Sequence, residues 1–156
     1  MGQLLNIHVR TTARAGPSAV RLLAVWAAAF VTSSLANIAV GAALRRILKM
    51  PSDFAQVAPP DIIIATFVGV AAAVIVFAIV ARVAEDPLWT YTFVVAPIGM
   101  IVSWLFDLAL YGSRAFPGTT GRGVLALMFL HVIAGVITVL LLRARGLPKG
   151  LAVAAP

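Results

Sequence analysis

The chain has 156 residues, 62% hydrophobic and 11% charged, with a mean hydropathy of +1.06; a soluble domain of this size leaves roughly a third of its surface in water, which so apolar a chain cannot satisfy, so bilayer is the expected solvent. The net charge of +7 would suggest nucleic acid in a soluble protein, but here Arg and Lys gather at the ends of apolar runs, where they suit anionic lipid head groups, and no nucleic-acid partner is expected. Cysteine is absent, which excludes disulfides, thiolate catalysis, thiolate-ligated metal and attached haem c.

Four apolar runs follow one another, each with about the 20 residues that a helix needs to cross the hydrocarbon. The first, residues 22–44, reads "LLAVWAAAFVTSSLANIAVGAAL". Arg10, Arg14 and Arg21 precede it and "SLA" resembles a cleavage site, but the run continues to Leu44. That exceeds the apolar core of about 7–15 residues in a signal peptide, so it is expected to stay as a helix. A loop at 45–61 holds "KMPSD" and "APPD"; its "ILKMPSDFAQV" segment fits either a short interfacial turn or an ordinary loop. The second run covers 62–81. The tight "EDP" turn leads to the third, 88–111, with Asp86 and Pro87 at cap and first-turn positions. "GSRAFPGTTGRG" leads to the fourth, 124–142. None of the runs alternates as barrel strands do. The expected fold is all-α, a four-transmembrane-helix bundle in which short connections make neighbours antiparallel. Residues 19–145 form its membrane domain, and residues 1–18 and 146–156 are expected to be flexible cytoplasmic tails.

Orientation rests on Lys and Arg. With both termini inside, the inner segments carry Arg10, Arg14, Arg21, Arg82, Arg143, Arg145 and Lys149, seven against five outside: Arg45, Arg46, Lys49, Arg114 and Arg122. Trp26, Trp89 and Tyr91 are then expected at the cytoplasmic interface and Tyr111 at the other.

Each run carries small or polar residues at helical spacing: Ala29, Ser33, Asn37 and Gly41; Ala65, Gly69 and Ala73; Gly99, Ser103 and Asp107; His131, Gly135 and Thr138. Small residues let membrane helices approach and polar ones bond across the seam, so these stripes are expected to face inward. Pro97 lacks a backbone donor and pushes against the carbonyl of Phe93, so a kink is expected in the third helix.

The candidate intramembrane polar site is Asp107, His131 and Asn37. A carboxylate in hydrocarbon costs about 2.5–3.5 kcal/mol on insertion scales, so it usually faces a partner. Asp107 lies about 6 Å from one end of its run and His131 about 10 Å from the same side. The two can meet, either as a tie between helices or as a proton relay. Arg114 and Arg122 are the alternative partners for Asp107. Asn37 suits a bond between helices. No Gly-rich phosphate loop, metal-ligand cluster, catalytic triad or paired acidic motif stands out, so no cofactor and no enzymatic activity are expected.

The helix 2 segment "DIIIATFVGVAAAVIVFAIVAR", turning tightly into an aromatic-led third helix, and "LMFLHVIAGVITVLLL" in the last helix resemble one family. It comprises uncharacterised four-helix membrane proteins, mostly of actinobacteria, classed as a domain of unknown function. The resemblance covers about residues 20–143 and implies four membrane helices in a bacterial plasma membrane, with no activity assigned. The expected role is a non-enzymatic accessory or interaction subunit, as a homo-oligomer or with a membrane partner. The alternative is a small oligomeric transporter or channel-like protein with Asp107 and His131 in its pathway.

Overall fold

A computed structural model describes residues 16–113 and 116–148, and within them four long helices and no strand. They are α1, Ala19–Ile47; α2, Pro59–Val83; α3, Pro87–Ser113; and α4, Gly121–Arg145. All four are long and apolar enough to span a membrane. The tails expected at 1–18 and 146–156 lie largely outside the described residues.

Capping chemistry sets the ends, which is why each helix outruns its apolar core. The Ser18 hydroxyl accepts from the Arg21 amide at 3.3 Å. Pro59 opens α2, where its missing N–H costs nothing. The Asp86 carboxylate accepts from the Trp89 amide at 3.0 Å, with Pro87 in the first helical position. Thr120 caps α4 by accepting from the Gly123 amide at 3.2 Å. Arg45, Arg46, Arg82, Arg143 and Arg145 fall in last turns, where a cation complements the helix dipole.

Two apolar clusters hold the helices together. One joins Val25, Ala29, Val70, Val74, Phe77 and Leu142. The other joins Met50, Phe54, Val57, Ile62, Ala126 and Leu130. The second answers the question of the 45–61 loop. It carries a short 3-10 turn, Ala55–Val57, and drives a wholly buried Phe54 ring into the bundle end. A Cβ on Gly123 would stand 2.6 Å from that ring, so only glycine leaves room there. Arg45 locks the loop by donating to the Phe54 carbonyl at 2.8 Å.

Three expectations change. The stripe on α1 does face inward, for Ala29, Ser33, Asn37 and Gly41 are all buried. On α2 the packed face is instead Ile62, Thr66, Val70 and Val74, while Ala65 and Gly69 are exposed. A Cβ on Gly69 or Gly99 would meet nothing. Lipid is as apolar as a side chain, so hydrophobicity does not choose which face packs. Tyr91 is not an interfacial anchor: it is buried, donates to the Ala73 carbonyl at 3.0 Å and meets Phe77 edge to face. Around Pro97 the disturbance takes the form of a π-helical segment, Tyr91–Val95, in which the Ala96 amide bonds five residues back to Tyr91. The wider turn makes room for the proline ring.

Candidate functional site

Asp107 is 7% exposed, the buried residue of the Ala96–Ser113 part of α3. Two contacts fix α3 against α4 around it. The Trp104 indole donates to the Met128 carbonyl at 3.2 Å, and Met100 seats its terminal methyl over Gly135. This register brings the half-buried His131 to Asp107, Nδ1 to Oδ2 at 3.0 Å.

The same Nδ1 lies 3.0 Å from the Leu127 carbonyl, one turn back on α4. Two acceptors at one nitrogen assign the proton to Nδ1. A single N–H cannot align with both. It bonds the Leu127 carbonyl, and the Asp107 oxygen sits beside it at ion-pair distance without an aligned donor. Asp107 therefore pairs with His131. Arg122 is exposed at the start of α4 and makes no ion pair with it, and Arg114 lies outside the described residues.

Asn37, 4% exposed, belongs to the next seam. Its amide donates to the Thr66 hydroxyl of α2 at 3.4 Å, and its carbonyl oxygen is buried without a partner. Asn37 is one of the residues lining a cleft of about 50 Å³, with Gln56, Thr66 and His131, and with Leu127 and Leu130 among its apolar walls. The Gln56 side-chain oxygen is also buried and unpartnered. His131 thus joins the three expected residues: Asp107 on one side of its ring, Asn37 across the cleft. Asp107 itself does not line the cleft. Gln56 and Thr66 were not foreseen. Thr66 had one available signal, as the sole hydroxyl in the second apolar run; Gln56 had none, since loop glutamines are ordinary.

Elsewhere, Arg21 and Arg145 line a separate cleft with Val25 and Leu147. Among the described residues no group of three or more His, Asp or Glu is placed to hold a metal ion.

The family described as "Family of unknown function (DUF6069)" matches residues 12–147. The chain belongs to that family. The DUF6069 match takes in all four helices, the Asp107–His131 pair and every residue of the polar cleft. No curated protein and no solved structure matches the chain.

Proposed function

We propose that this DUF6069 protein is a non-enzymatic, multi-pass accessory or interaction subunit of the bacterial plasma membrane, with both termini in the cytoplasm. The observation that carries this reading is α3. It buries only Tyr91 and Asp107 within the chain and turns Trp89, Phe93, Ile98, Leu105 and Phe106 outward. A second copy or another membrane protein can seat on such a face. The Asp107–His131 pair and the Trp104 bond then serve to hold this lightly packed helix in place. Neighbouring helices in an up-down order are supported by the contacts of α3 on α4: Met100 with Gly135, Trp104 with Met128, Asp107 with His131. The Arg21 and Arg145 cleft supports contact with anionic lipid head groups at that end.

Crosslinking tests the subunit reading, and the absence of native cysteine makes it clean. A single cysteine at Gly99 should give one dominant crosslinked species in native membranes. Crosslinking no better than at the lipid-facing Ile64 overturns it.

One observation favours a transporter: His131 stands between a carboxylate and a polar cleft, as a relay residue would. Under that reading, Asp107→Asn abolishes proton-coupled flux in vesicles while the fold persists.

A further inference from the structure

The start of α1 and the end of α4 meet at one end of the bundle, where Arg21 and Arg145 line a cleft of about 490 Å³. A Cβ placed on Gly16 would stand 3.6 Å from the Arg82 side chain, which brings a third arginine, from the last turn of α2, to the same end. We propose that this cleft is a discrete site for one anionic phospholipid, with Arg21 and Arg145 taking its phosphate.

Charge leads to this ligand. The chain has five acidic residues, Asp53, Asp61, Glu85, Asp86 and Asp107, and none of them lines the cleft. Asp107 pairs with His131. Asp53 lies against Gly118 and Asp61 falls in the first turn of α2, both toward the opposite end. Glu85 and Asp86 sit in the α2–α3 turn, where Asp86 is committed to the Trp89 amide. Arg21 also stands in the first turn of α1, which contains no acidic residue, so its charge adds to the positive end of the helix dipole. Like charges gathered at a low-dielectric boundary repel, and no acidic side chain offsets them within the cleft. An anion from the surroundings does.

The walls choose among anions. Ala24, Val25, Ala144 and Leu147 are apolar, and suit the glycerol and first acyl carbons of a lipid better than a hydrated free phosphate. The position agrees, because Arg21 and Arg145 flank helices long and apolar enough to span, at the level where basic side chains meet head groups. A guanidinium fork matches phosphate oxygens. A zwitterionic lipid carries an ammonium that the arginines repel, so the site favours a head group of net negative charge. The volume lies within the range of small-ligand sites, about 300–1,000 Å³. This site rests on the head-group contact proposed above and makes of it one seat instead of a diffuse attraction; it does not depend on the subunit role.

Native mass spectrometry of the purified full chain in neutral detergent tests the site. Dioleoylphosphatidylglycerol should be retained at one copy per chain, about tenfold more tightly than dioleoylphosphatidylcholine. Arg21→Gln with Arg145→Gln should weaken that retention by roughly 10–30-fold. Arg46→Gln with Arg122→Gln removes the same charge from the opposite end and should leave it unchanged. Arg21→Lys with Arg145→Lys keeps the charge, which guards against a folding defect, and should still weaken retention several-fold because the fork is gone. Equal retention of the two lipids, or undiminished retention in the Arg21 and Arg145 variants, overturns the site. An equal loss in the Arg46 and Arg122 variant overturns it too, while leaving the diffuse head-group contact standing. Displacement of the lipid by inorganic phosphate, but not by chloride at the same ionic strength, would assign the cleft to free phosphate and overturn the lipid site.

Discussion

The carboxylate of Asp107 and the imidazole of His131 touch across the α3–α4 seam, Oδ2 to Nδ1 at 3.0 Å, while the imidazole proton bonds a backbone carbonyl of its own helix. The pair is thus held by charge and proximity more than by an aligned hydrogen bond. That geometry sets its stability at the modest end. Intramembrane polar pairs average about 0.6 kcal/mol, with a maximum near 1.7. A double-mutant cycle with Asp107→Leu and His131→Leu should show a coupling of about that size, the double variant being milder than the sum. Asp107→Asn should cost less than Asp107→Leu. Strict additivity in detergent unfolding would separate the two residues.

Glycine substitutions should divide by helix face. Gly123→Ala drives a methyl into the buried Phe54 ring and should destabilise by about 1–3 kcal/mol, part of it offset by alanine's better helix propensity. Gly69→Ala meets open space and should be neutral within about 0.5 kcal/mol. Equal Tm losses for both would remove the packing register described for α2 and α4.

Tyr91→Phe keeps the ring against Phe77 and deletes the bond to the Ala73 carbonyl. It should lower stability by about 0.5–1.5 kcal/mol. Tyr91→Ala should cost several times more, since it also empties the ring's place. An unchanged Tm in Tyr91→Phe would mean that the hydroxyl faces solvent or lipid head groups instead.

Cysteine labelling checks the proposed orientation. A cysteine at Ser113 should react with an impermeant reagent in intact cells, and one at Gly150 only after lysis. The reversed pattern places both termini outside.

The Arg45 anchor gives a further test. Arg45→Leu removes the donor to the Phe54 carbonyl and should unseat the 50–57 loop, drawing Gln56 away from the cleft it lines. Hydrogen exchange at the Phe54–Val57 amides should rise at least tenfold. Unchanged protection would show that the Phe54 ring alone holds the loop.

The sequence by itself determined four membrane helices, their approximate limits, the cap at Asp86 and the partnership open to Asp107 and His131. Each follows from a local rule: an apolar run of bilayer length, a side chain that satisfies the first orphan amides, and the cost of a lone carboxylate in hydrocarbon. Only tertiary structure decided which faces pack. Gly69 and Gly99 turned outward although their spacing matched that of Gly41, because lipid and protein interior are equally apolar and the choice falls to shape and side-chain fit. Only tertiary structure, too, brought Gln56 from a loop and Thr66 from α2 to the space between Asn37 and His131. No periodicity within one helix encodes a cleft built from three helices and a loop.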